Sequence, residues 1–185
     1  MKVTPMSLPD EQLVEPQRFG DARGYFLETY REERYRAAGI DLGFVQDNLS
    51  RSSRGILRGL HLQHPNDQGK LVYVLAGEVF DVAVDVRVGS PSFGKWTAVV
   101  LSAEDHRQLW IPPGFAHGFC VTSETALFTY KCTAPYSVSD ELGVTWNDPA
   151  IGIQWPVAQP SLSGKDAALP RLADIDPARL PKYRG

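Results

Sequence analysis

The chain reads as mainly β, a sandwich or barrel with a few short helices at its periphery, on three observations. From residue 44 onward short apolar runs alternate with Gly, Pro, Asn and Asp, at intervals of roughly 8 to 12 residues. Within that region the run 79–88 alternates strictly, with Phe80, Val82, Val84, Val86 and Val88 on one face and Asp81, Asp85 and Arg87 on the other. Only 31–38 carries a clear helical pattern, closed by Gly39.

Taken in order, residues 1–22 are polar and dotted with proline, which predicts an irregular arm with one or two edge strands, of the kind that docks on a neighbour. Asp21-Ala22-Arg23-Gly24 is a turn signal, and the aromatic run 25–30 after it suits a strand. The helix at 31–38 is short and charged, as expected of a solvated surface helix. Strands are predicted at 79–88, 95–101, 108–111, 118–122 and 126–132, with turns at Gly77 and Gly89-Ser90-Pro91. After Trp155-Pro156 the composition turns to proline, serine and charge, with weak helical pieces near 165–168 and 177–180. At 185 residues, 43% hydrophobic, the chain is long enough for a sizeable core. No repeat or boundary divides it, so 1–185 is expected to form one domain, with an N-terminal arm over 1–30 and a C-terminal extension over 157–185.

Charge and cysteine usage exclude several classes. A net charge of -3 without a block of like charges offers no footprint for nucleic acid. Residues 1–11 lack the pattern of a signal peptide, and no apolar run approaches the roughly 18 residues of a membrane span. A soluble, cytoplasmic protein is the expectation. Cys120 and Cys132 lie in apolar β-like runs and not in a CxxC, which reads as two buried thiols, not a disulfide or zinc framework.

The densest chemical segment is Arg58-Gly59-Leu60-His61-Leu62-Gln63-His64, followed by Lys70. Neutral imidazole can take a proton from the carbon beside a carbonyl, while an ammonium stabilises the enolate oxygen that develops. Arg58 adds a planar fork suited to phosphate. The plainer alternative is a structural histidine between two leucines. Strict alternation places Arg58 with Leu60 and Leu62, opposite His61; a bulge at Gly59 would bring both to one pocket.

His61 and His64, taken with Pro112-x-Gly114-x-x-His117, resemble the two histidine motifs of the cupin superfamily, which implies a cupin-like β-barrel or jelly roll of two antiparallel sheets. The first motif departs from the metal-binding form. Its histidines are separated by two residues instead of one, and Lys70 stands roughly where a carboxylate ligand would be. A protonated lysine repels a divalent cation, so no metal is expected. The barrel mouth would hold His61, Lys70, His117 and, if even residues of 126–132 point inward, Tyr130. A packed core tyrosine beside Ala126, Phe128 and Cys132 is the alternative reading of Tyr130.

An ordered set of motifs is more specific. Asp21-x-Arg23-Gly24-x-Phe26-x-Glu28, Gln46-Asp47-Asn48-x-Ser50, Gly55-x-Leu57-Arg58-Gly59-Leu60-His61-x-Gln63, Gln68-Gly69-Lys70, Gly77-Glu78-Val79-x-Asp81, Ser90-Pro91-x-Phe93-Gly94, Pro113-Gly114-Phe115-Ala116-His117-Gly118-Phe119 and Trp146-Asn147-Asp148-Pro149 together resemble the dTDP-4-dehydrorhamnose 3,5-epimerase family, from about residue 5 to residue 170.

The resemblance implies a cofactor-independent isomerase acting on a dTDP-4-ketosugar. It makes His61 the base for C3 and C5, Asp166 its acid partner, Lys70 the enolate stabiliser and Tyr130 the opposite-face proton donor. It further implies diphosphate contacts from Arg23, Arg58 and Lys165, polar contacts from Glu28, Gln46 and Asn48, a stacking ring from Tyr136, and binding positions at Phe26, His117 and Glu141. In the family the arm carrying Arg23 and Glu28 crosses to the other subunit's site, which implies a homodimer. Three rivals stand beside this reading: a relative inverting only C3 or C5 of another dTDP-ketosugar, a non-catalytic sugar-binding cupin, and a metal-dependent cupin oxygenase.

Overall fold

The computed structural model describes residues 1–184. Its strands run β1 Lys2–Pro5, β2 Gln12–Glu15, β3 Arg18–Asp21, β4 Gly24–Leu27, β5 Gln46–Ser53, β6 Leu57–Gln63 and β7 Lys70–Ala76. They continue with β8 Glu78–Asp85, β9 Trp96–Ser102, β10 Gln108–Ile111, β11 Phe115–Val121, β12 Thr125–Cys132 and β13 Glu141–Gly143. Two antiparallel sheets result, one in the order β1-β2-β10-β7-β12-β5 and the other β13-β6-β11-β8-β9. Strands β3 and β4 form a separate two-stranded hairpin. The expected jelly roll is thus the observed architecture, with β5, β7 and β13 adding to the runs singled out from the sequence and three strands, not one or two, in residues 1–22. No helix among the described residues is long and apolar enough to cross a membrane.

Three apolar clusters hold the sheets. Between them lie Val72, Val74, Val79, Ala83, Leu109, Ile111, Phe115, Phe119 and Phe128, all buried. The alternation read over 79–88 is present, but its apolar face points away from this interior. Val82, Val84 and Val86 instead pack on Leu172, Ile175 and Leu180 of the C-terminal segment, which seals the outer face of the five-stranded sheet. The opposite face of β8 brings Asp81 inward, fully buried. The strand stops at Asp85 because its carboxylate gathers the Arg87 backbone N–H at 3.0 Å, the Ser90 hydroxyl at 2.6 Å and the Ser92 hydroxyl at 2.7 Å, folding the chain into a turn.

The predicted helix is α1, Glu32–Ala37, with glutamates in its first turn and arginines in its last, as the helix dipole favours. Gly39, at φ +91°, ends it. It is not wholly a solvated helix. Tyr35 is buried, its hydroxyl 2.6 Å from Gln108 Oε1 and 2.9 Å from the Thr29 carbonyl, and it joins Val14, Ile40, Leu71 and Trp110 on the outer face of the six-stranded sheet. The pieces near 165–168 and 177–180 appear as α2, Gly164–Ala167, and a 3-10 turn at Pro177–Arg179.

Candidate active site

The pairing of β6 with β11 sets the site. His117 faces His61, yet Phe119 faces Arg58, so β6 carries one extra residue between the two pairs. This bulge centres on Gly59, whose φ is +117° and where a Cβ would lie 2.6 Å from the His117 carbonyl oxygen. Only glycine fits there. The bulge shifts the phase of the strand, so that Arg58 and His61 both turn to the side that Phe119 and His117 occupy, while Leu60 packs outward and Leu62 joins the same outer cluster from the cavity rim. Arg58 then donates from Nε to the Ser52 hydroxyl at 3.1 Å and, although on the same side as His61, stays outside the lining of the cavity that His61 enters.

His61 and Tyr130 approach one cavity from facing sheets. The cavity, about 230 Å³, is lined by Gln46, Asn48, His61, Lys70, Tyr130 and Tyr136, with Glu141, Cys132, Gln63, Gln68 and Leu62 completing the wall. His61 comes from the five-stranded sheet; Lys70, Tyr130, Gln46 and Asn48 come from the six-stranded one. Even-numbered residues of β12 do point inward, and Tyr130 packs against the core beside Phe128, with ring centroids 6.0 Å apart at 45°. Both alternatives for this tyrosine hold at once: its ring is half-buried in the core and it still lines the cavity.

Asp166 stands behind His61, with Oδ1 2.5 Å from Nε2, and is itself nearly buried. The short α2 places it: Ser163 caps the helix by accepting from the Asp166 N–H at 3.0 Å. A carboxylate accepts only, so Nε2 holds the proton and Nδ1 is left as the basic nitrogen. Burial holds the His61 pKa below the ordinary imidazole value, against the pull of Asp166 and with the help of Lys70, which keeps the ring neutral near pH 7. Burial pushes the Tyr130 phenol above its usual value, with Cys132 adding to the rise and Arg58 opposing it, so it stays protonated. Lys70 is only 8% exposed; its Nζ lies 3.3 Å from the His61 carbonyl, and burial lowers its pKa.

Polar residues at the rim interlock. Tyr136 donates to Glu141 at 2.6 Å, Lys165 pairs with the same carboxylate, and Gln46 Oε1 accepts from the Tyr136 N–H at 2.9 Å. Gln46 in turn donates to Asn48 at 2.9 Å. His117 lies one strand beyond His61, buried and 3.0 Å from Asp81, outside the cavity lining. Arg23, Phe26 and Glu28 are not brought to this cavity either. Arg23 and Phe26 sit on the hairpin, exposed, and Glu28 pairs with Arg34 at 3.0 Å. Gln63, Gln68, Cys132 and Asp81 were not singled out as site residues. Period-two counting from His61 reaches Gln63 and from Tyr130 reaches Cys132; nothing local marks Asp81 as the partner of His117.

A cupin-like barrel here gathers an imidazole with a buried carboxylate behind it, a lysine amine and a protonated phenol, groups able to move protons as a carbohydrate isomerase requires. Residues 5–174 match the family model described as dTDP-4-dehydrorhamnose 3,5-epimerase. A Neisseria gonorrhoeae protein of that description is 55% identical over 91% of this chain, which spans about half (52%) of that relative's length. A Shigella flexneri protein of the same description is 52% identical over 95% of this chain and 98% of its own. Among solved structures, a Legionella pneumophila dTDP-6-deoxy-D-glucose-3,5-epimerase in complex with dTDP-4-keto-L-rhamnose superposes with a TM-score of 0.97 at 50% identity, covering 100% of this chain and 99% of that one. The chain belongs to the dTDP-4-dehydrorhamnose 3,5-epimerase family.

Proposed function

We propose that this protein converts dTDP-4-dehydro-6-deoxy-D-glucose to dTDP-4-dehydro-L-rhamnose by inverting C3 and C5. The observation that carries the reading is the placement of His61 and Tyr130 on facing sheets around one cavity, within a chain of this family. Inversion requires a proton to leave one face of a carbon and return to the other; a single base returning it to the same face regenerates substrate. His61 Nδ1 takes the proton from C3 or C5, since the adjacent C4 ketone makes both acidic. Lys70 stabilises the enolate oxygen at C4, and Tyr130 returns a proton from the opposite wall. Asp166 keeps the imidazole in the required tautomer and stabilises the imidazolium that forms. No cofactor enters these steps.

Arg58 and Lys165 bind the diphosphate, Gln46, Asn48 and Glu141 hold polar groups, Tyr136 stacks on thymine, and His117 supports the sugar end of the site. Arg23, Phe26 and Glu28 complete the neighbouring subunit's site in a cytoplasmic homodimer. Supporting that assembly, Leu49 and Leu75 are 63% and 51% exposed on the six-stranded sheet, beside a projecting hairpin.

The decisive test is incubation of the purified protein with dTDP-4-dehydro-6-deoxy-D-glucose in D₂O. Deuterium at both C3 and C5 is expected. Label at one carbon makes the protein a single-carbon epimerase, and no label leaves a binding protein or an enzyme for a different ketosugar. His61→Ala is expected to lower turnover by about 10²–10⁴-fold or more while dTDP affinity stays nearly intact; a His61→Ala protein of full activity removes His61 from the role of base.

A further inference from the structure

The β3–β4 hairpin bonds to neither main sheet, so its direction is not set by a ladder. Its turn is closed by local bonds: Asp21 accepts from the Arg23 N–H at 2.8 Å and from its guanidinium at 2.5 Å. One wall of a cleft of about 290 Å³ is Tyr25 and Phe26, the other Tyr73, Leu75 and His106, so much of the hairpin stands off the barrel.

Across that cleft the Tyr25 ring meets the His106 imidazole, with centroids 4.7 Å apart at 45°. Within the hairpin, the Arg18 guanidinium lies 4.7 Å from the same Tyr25 ring, which fixes the rotamer it presents. His106 sits on a braced turn. Its N–H donates to the Ser102 carbonyl at 3.2 Å, and Arg107 ties the turn down through Asp105 and the Val100 carbonyl at 2.9 and 2.7 Å. The residue adopts φ +56°, a left-handed conformation that histidine, like Asn and Asp, accepts more readily than most side chains. Its Nε2 is buried without a hydrogen-bond partner. With Nε2 unpaired, what this histidine offers the hairpin is the face of its ring against Tyr25.

We propose that His106 is a positioning residue: its ring, through Tyr25, aims the hairpin and so presents Arg23 and Phe26 to the nucleotide end of the substrate. The inference rests on the reading that the hairpin contacts substrate, and the variants below separate the two.

His106→Asn keeps the left-handed turn but removes the aromatic face, and Tyr25→Ala removes the other half of the contact. Each is expected to raise KM for the dTDP-ketosugar about two- to tenfold with kcat unchanged, the size of an aromatic pair. His106→Phe, which restores a ring, is expected to recover most of the loss. In the folded protein, trypsin should cut after Arg18 and Arg23 faster in His106→Asn than in the parent, with other sites unchanged. Arg23→Ala serves as the reference for the underlying reading. If Arg23→Ala raises KM while His106→Asn and Tyr25→Ala do not, His106 has no positioning role and the reading stands. An unchanged KM in Arg23→Ala sinks the reading and the inference with it. A His106→Phe no better than His106→Asn also overturns the inference, since the ring would then not be what matters.

Discussion

Glu11, in the loop entering β2, shows how one buried group couples stability to pH. Its carboxyl is 1% exposed and hydrogen-bonds only the Thr97 hydroxyl, at 2.6 and 2.8 Å from its two oxygens. Burial, with repulsion from Asp81, pushes its pKa up from 4.5 to about 7, against the pull of Thr97. The folded state therefore favours the neutral acid. Below pH 4.5 both states bind the proton and the contribution is intact; as pH rises toward 7 the unfolded chain releases its proton first, and above 7 the folded protein must carry a buried charge. Melting temperature should fall between about pH 5 and 7.5 for this reason, by the equivalent of roughly 1–3 kcal/mol. Glu11→Gln keeps an acceptor for Thr97 and is expected to flatten that slope; a slope as steep in the variant as in the parent would falsify the assignment.

At the scale of the element, the bulge in β6 is what converts an alternating strand into a site. Gly59→Ala places a methyl 2.6 Å from the His117 carbonyl and 2.7 Å from the Gly118 Cα, at φ +117°. The strand must shift or lose its bulge, at a cost of about 2–4 kcal/mol. Since Arg58 and His61 are aimed by the same distortion, activity should fall further than the melting temperature alone explains. Thermal denaturation beside turnover at a temperature where the variant is fully folded checks both. The strand illustrates what can be read from sequence. Period-two alternation and the position of Gly59 were enough to raise a bulge as the way to unite Arg58 and His61, because a glycine in a strand has few other reasons to be there. In β8 the same alternation was visible, but which face pointed inward was not. The answer depends on Leu172, Ile175 and Leu180, nearly a hundred residues away, covering the valines from outside. The surface assignment of α1 failed in the same way, since the anchor of Tyr35 is Gln108 on a distant strand.

At the scale of the whole molecule, two facing sheets put His61 and Tyr130 across one cavity, an arrangement that one strand could not give. His61 and Asp166 belong to the five-stranded side and the adjacent C-terminal segment, Tyr130 to the six-stranded side, so in the proposed mechanism removing one leaves the other half of the reaction in place. That asymmetry gives a prediction finer than loss of activity. In Tyr130→Phe the His61 side chain, about a third exposed, can still take a substrate proton, exchange it with solvent and return deuterium to the same face. Recovered dTDP-4-dehydro-6-deoxy-D-glucose should therefore gain label in D₂O while epimerised product forms about 10²–10⁴-fold more slowly. His61→Ala should show neither label nor product. The two variants are compared by mass spectrometry of unreacted substrate at equal protein concentration. Labelled substrate from Tyr130→Phe alone means that abstraction and return come from opposite walls; unlabelled substrate from both means that the phenol is needed for the first step, and the division of labour between the sheets is wrong.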